Sequence, residues 1–140
     1  MADNEKLHAW KKLRNNIELM NLEEKLNYVS DFFSNFPMGA RSVDYYAPLS
    51  WPSPWEIIFY GSFCKSSISI LIFYTLCMSD NSIYAELRLV HDGSQIYLIP
   101  VINNTFVLNY KSGMVNKCHE VESEILTISI YKKEDIKLIA

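Results

Sequence analysis

The chain has 140 residues, of which 49% are hydrophobic and 21% charged, with a formal net charge of −3. That is the length and composition of one ordinary globular domain, which excludes disordered, collagen-like and low-complexity classes. The mildly acidic balance gives no footprint for nucleic acid, and three cysteines, an odd number, cannot pair into a complete disulfide framework.

The chain begins with a polar stretch, and Lys11, Lys12 and Arg14 follow, so no signal peptide is read there. Leu7, Trp10, Leu13 and Ile17 then recur at helical spacing and predict a first helix over 5–19. Asn21 with Glu24 three residues on has the form of a capping box, and Leu22, Leu26, Val29 and Phe33 carry a second apolar stripe to about Asn35. Pro37 and Gly39 end it. Residues 37–63 read as a loop, because Pro48, Pro52 and Pro54 oppose regular structure. Tyr45, Tyr46, Trp51 and Trp55 are too apolar for a free loop. They either pack over the core or form a binding surface or cleft wall.

From Cys64 to Met78 a wide apolar face predicts a central, mostly buried helix, with Cys64 in its first turn. Its longest apolar run, around Ile68–Met78, is roughly half of the ~20 residues a membrane span needs, so no span is expected. The remainder alternates as strands. Leu87–His91 and Gln95–Ile102 flank a hairpin turn read at Asp92-Gly93, with Pro100 suggesting an edge or a bulge. Thr105–Tyr110 follows a two-residue turn at Asn103-Asn104, and Ile125–Tyr131 is the fourth strand. Glu120, Glu122 and Glu124 alternate as on a solvated strand face. The fold class is α+β: N-terminal helices over 1–36, the loop, a central helix over 64–78 packed on an antiparallel sheet over 86–131, all in one domain.

A cysteine at the start of a buried helix has chemical meaning. The helix N-terminus favours the thiolate, and its free N–H groups can hold an oxyanion. Asp44-Tyr45-Tyr46, Trp51-Pro52-Ser53-Pro54-Trp55-Glu56 and Gly61-Ser62-Phe63-Cys64, with Leu87–Val90 and Val107–Tyr110 beyond, resemble the bacterial transglutaminase-like cysteine proteinases of the wider transglutaminase-like, papain-like superfamily. The likeness runs over roughly 26–111. It implies that Cys64 stands at the nucleophile position and Asn109 at the place of the family's Asp. The family's acidic residue before Cys is Phe63 here, and the Gly-rich turn is one residue short. If Ile102 faces Thr105 across the turn, Asn109 lies opposite Leu98 and the family's His falls on Tyr97 or Ile96, neither of which is a base. Gln95 is the nearest polar residue, and an amide is no base near neutral pH. His91 is a candidate substitute base on the neighbouring strand, or a solvated residue beside a turn.

His8 and His119 are weak candidates, Cys118-His119 do not make a dyad, and Cys77 reads as a buried structural thiol. Three cysteines and three histidines without ligand spacing imply no metal, and no cofactor motif is present. The expectation is a degenerate, non-catalytic member of this fold that binds a protein partner or serves assembly, in the cytoplasm or as a virion or baseplate component within a phage particle. The alternative is an active cysteine hydrolase or acyltransferase with Cys64 as nucleophile, His91 as base and Gln95 or Asn109 assisting. A third reading is a generic binding module whose likeness is coincidental.

Overall fold

The computed structural model describes residues 3–36, 43–61 and 64–136. Helix α1 spans Asp3–Ile17 and α2 spans Leu22–Ser34. Trp10, Leu13 and Ile17 of α1 and Leu26, Val29 and Phe33 of α2 are all buried, as the spacing predicts. Asn21 caps α2: its Oδ1 accepts the Glu24 amide at 2.9 Å, and the two side chains bond reciprocally. The helix-ending residues Pro37 and Gly39 lie outside the described residues.

The expected loop over 37–63 is in fact partly helical. A short 3₁₀ turn forms at Pro48–Ser50, and helix α3 runs over Pro54–Tyr60. Pro54 takes the first helical turn, where a proline's missing N–H removes no bond. Ser53 and Glu56 close a capping box, each at 3.2 Å. Prolines read as breakers are here a helix start.

Helix α4, Lys65–Ser79, is buried without interruption from Ser66 to Cys77. It is therefore covered on every side: by α1, α2 and α3 on one flank and by the sheet on the other. The covering helix α1 is joined to it by one buried polar contact, in which the Trp10 indole N–H donates to Thr75 Oγ1 at 3.0 Å.

The sheet is antiparallel and five-stranded, in the order β4-β3-β2-β1-β5. Its strands are β1 (Ala85–His91), β2 (Ile96–Ile102), β3 (Phe106–Leu108), β4 (Val115–Lys117) and β5 (Leu126–Lys132). Leu87, Leu89, Leu98 and Ile102 join the core around α4, while Val90, Tyr97, Ile99, Val101 and Val107 form a second core on the far face. A short helix α5, Cys118–Val121, covers that far face with Val121.

Both hairpin turns differ from the sequence expectation by one residue. His91 pairs with Ile96 and Asp92 N donates to Gln95 O, so the first turn centres on Gly93-Ser94 rather than Asp92-Gly93. The Asp92 carboxylate sets this by accepting the amides of both Ser94 and Gln95 at 2.9 Å, and Gly93 takes φ +95°. In the second turn Asn103 and Asn104 are both left-handed, but Ile102 pairs with Phe106, so Thr105 is an extra residue. Continued along the strand, that register sets Asn109 opposite Ile99 and not Leu98. Pro100 is not on an edge: it is buried in an interior strand, just past the last β2–β3 pair at Val101–Val107. Glu120 lies in α5, and Glu122 and Glu124 lie in the turns after it, not on a strand face.

The Trp10–Thr75 bond gives a stability test. Thr75→Val keeps the shape but leaves the fully buried indole N–H without its acceptor, and should lower the unfolding free energy by about 1–3 kcal/mol. Urea unfolding should show a lower midpoint with an unchanged slope.

Candidate functional site

Cys64 is the N-cap of α4, one residue earlier than the first-turn position expected. Its backbone is extended, its N–H donates to Ser67 Oγ at 2.8 Å, and its Sγ accepts the Ser67 amide at 3.3 Å. The sulfur therefore acts as a cap, in the place a Ser or Asp oxygen usually takes. Ser67 Oγ also donates to Cys64 O at 3.0 Å, which closes a tight local cycle. Among the described residues, no histidine nitrogen bonds this sulfur. The shortened glycine turn and Phe63 precede it, but Ser62 and Phe63 lie outside the described residues.

The expected base positions, Ile96 and Tyr97, rest on the Leu98 register; with Asn109 opposite Ile99 the same offset falls on Leu98 or Tyr97, and alternation along β2 separates these. Ile96 packs with the α4-facing core, whereas Tyr97 lies on the far face. There the Tyr97 hydroxyl donates to Asp92 Oδ2 at 3.0 Å. Burial first, then this bond, pushes the Tyr97 phenol well above its ordinary range. The face toward the helix thus presents an aliphatic side chain where an imidazole would be needed.

His91 is the cross-strand partner of Ile96, and cross-strand partners share a face. It is half-buried, and its Nδ1 accepts the Gly93 amide at 2.9 Å. That nitrogen is thereby engaged by a backbone donor. Gln95 lies exposed in the turn beside it. His8 and His119 are exposed on α1 and α5.

Asn109 is buried, with φ +59°, at the end of β3. Its Nδ2 donates to Lys65 O and to Ser69 Oγ, both at 2.9 Å. Ser69 Oγ in turn donates to Leu98 O at 2.7 Å, and Leu98 N donates to Ser66 Oγ at 3.1 Å. Asn109 thereby holds the first turns of α4 to β2, with its donor group directed at backbone and hydroxyl acceptors. Sequence reasoning missed this set. The cluster Ser66, Ser67 and Ser69 at the start of an otherwise apolar helix was its visible sign.

Lys65 follows the cysteine, and its Nζ donates to Tyr110 O at 2.8 Å and sits 4.8 Å from the Tyr97 ring centroid. Burial lowers its pKa, opposed by the Asp92 charge. Burial pushes the Cys77 thiol up to about 11 and raises that of Cys118 in the same direction. Among the described residues no group of three or more His, Cys, Asp or Glu is placed to hold a metal ion. No helix of the described residues is long and apolar enough to cross a membrane.

The aromatic loop divides. Trp51 is 3% exposed, donates its indole N–H to Asp44 O at 2.7 Å and meets Tyr131 edge-on, so it packs the fold. Tyr45 is half-buried, with its carbonyl accepting from the Tyr131 hydroxyl at 2.7 Å. Tyr46 and Trp55 remain on the surface.

Asn109 offers a pH test. In Asn109→Asp a carboxylate oxygen would face Lys65 O and Ser69 Oγ, and only the protonated acid could donate. Its folded-state pKa should therefore rise above the ordinary ~3.9. The variant should retain stability below that value and lose it as pH rises, by about 1–3 kcal/mol at neutral pH. Urea midpoints from pH 4 to 7 should diverge from those of the parent; parallel curves would show that the donor is dispensable.

No family model matches the sequence, and no curated protein matches it. Among solved structures the chain is similar to LapG of Legionella pneumophila, a bacterial transglutaminase-like cysteine protease. Against the calcium-bound form the TM-score is 0.72 at 14% identity, covering 96% of this chain and 81% of LapG. Against the EGTA-treated form it is 0.74 at 15% identity, covering 94% and 74%. At that identity the likeness is one of fold: the helices and five-stranded antiparallel sheet of this chain are arranged as in LapG, in a transglutaminase-like fold.

Proposed function

We propose that this chain is a non-catalytic form of the transglutaminase-like cysteine protease fold that acts as a protein-binding or assembly module. The observation that carries the reading is that the helix-facing residues of β2 near Asn109, Leu98 and Ile96, are both aliphatic, with His91 paired to Ile96. The helix-facing position of β2 holds an aliphatic side chain, and the adjacent imidazole has its acceptor nitrogen on Gly93 N. Without a base, a cysteine at a helix start lacks the group that would take its proton during attack. The engagement of Asn109 Nδ2 by Lys65 O and Ser69 Oγ supports the same reading.

A binding role is supported by the surface. Tyr46, Leu49, Phe59 and Tyr60 are each more than half exposed, and aromatic residues of this kind anchor interfaces.

Alkylation kinetics test the reading. Cys77 and Cys118 are poor internal references, since burial alone slows both. Glutathione is the better comparator. With iodoacetamide at pH 7, Cys64 should be carbamidomethylated no faster than glutathione, as read by peptide mass spectrometry. A rate about tenfold or more above glutathione that falls in His91→Ala would sink the proposal and favour the cysteine hydrolase alternative.

A further inference from the structure

Strand β5 pairs with β1 on one side, and on its other side no strand pairs with it among the described residues. The opposite edge, β4, has three residues, whereas β5 has seven. Edge strands are ordinarily protected by shortness, proline or inward charge. β5 contains no proline, and Leu126, Ile128 and Ile130 are 69%, 40% and 47% exposed. The one irregularity is a register shift opposite Leu89 and Val90, which isolates Ile128 and leaves Ser129–Lys132 in regular pairing.

A groove of about 630 Å³ lies beside that regular stretch. Ile130 and Tyr131 form one side, Tyr46 and Leu49 the other, and Glu134 and Asp135 stand at one end. The outer wall is fixed to the strand. Tyr131 donates to Tyr45 O, its ring meets Trp51 edge-on at 5.3 Å, and Asp44 Oδ1 holds the Tyr46 amide at 3.0 Å. A groove held open in this way loses little freedom when filled. Its charge is one-sided. Lys132 stands opposite Glu86 in the ladder and Lys133 lies near the Cys77 thiol, and neither lines the groove.

We propose that the free edge of β5 and this groove form a docking site for an extended, basic peptide segment of a partner protein. The Lys132 amide is already held by Asp135 Oδ2 at 2.9 Å, so the segment pairs with the backbone at Ile130, its alternate apolar side chains lie between Ile130 and the Tyr46–Leu49 wall, and a Lys or Arg meets Glu134. The inference rests on the protein-binding reading above and names the class of partner.

A displayed library of random dodecapeptides, panned on the full chain, tests it. Enriched sequences should alternate apolar residues and carry Lys or Arg at one end. The most enriched peptide, synthesised, should bind with Kd of about 10–100 μM. Its amide shift changes should fall on residues 46–49 and 129–135. Glu134→Lys, a surface change, should weaken it about tenfold, as should Leu49→Asp, with circular dichroism confirming that both variants fold. N-methylation at alternate peptide positions should abolish binding. Absence of enrichment, shifts that map elsewhere, indifference to these changes, or a concentration-dependent dimer that occludes the edge would each overturn the proposal. Binding that maps to Trp55 and Phe59 would overturn this site while leaving a protein-binding role intact. A hyper-reactive Cys64 would overturn the non-catalytic reading while leaving the groove untouched.

Discussion

The fold turns on how the interior strand β2 is satisfied where β3 ends. The recorded β2–β3 ladder stops at Val101–Val107, yet Leu98 further along β2 is fully buried and its backbone polar groups need partners. Two hydroxyls of α4 supply them. Ser66 accepts from Leu98 N and Ser69 donates to Leu98 O, so the helix takes the place of the missing strand. Pro100, which has no N–H, sits between this contact and the ladder, where a donor would have no evident strand partner. Asn109, in the left-handed conformation that ends β3, completes the join by bonding both Ser69 and Lys65. Without these bonds the buried edge would carry unpaired groups in a low-dielectric core.

This join shows how the fold shared with a cysteine protease is held together here. Residues singled out from the sequence as site candidates are bound into the architecture. Cys64 caps the helix, Asn109 fastens it to the sheet, and Ile96 extends the apolar core. Each of these roles needs a side chain of fitting size and polarity, and none needs a proton carrier. The arrangement is therefore held by structural roles alone.

Much of the architecture was legible in the residues. The apolar stripe of α1, the capped stripe of α2, the apolar run of α4 and the alternation of β1, β2 and β5 each carry a period that one element satisfies. What failed were details set by single side chains. Pro54 opens a helix because Ser53 and Glu56 cap it, Asp92 shifts a turn by gathering two amides, and Thr105 adds one residue to a hairpin. Short β4 and α5 have too few residues for any periodic signal. The site was half legible: the cysteine's place at the helix start followed from pattern. The donor role of Asn109 did not, since its partners lie 44 and 40 residues away in sequence.

The order of strands in space also differs from their order of synthesis. β1 is made before β2, β3 and β4, but its outer neighbour β5 is made last. As the chain emerges, α4, β1, β2 and β3 can assemble their contacts while the outer side of β1 is still bare. For that interval the nascent protein carries an open edge next to Leu87 and Leu89, where non-native pairing competes until β5 follows. Closure of the sheet beside its first strand therefore waits on its last.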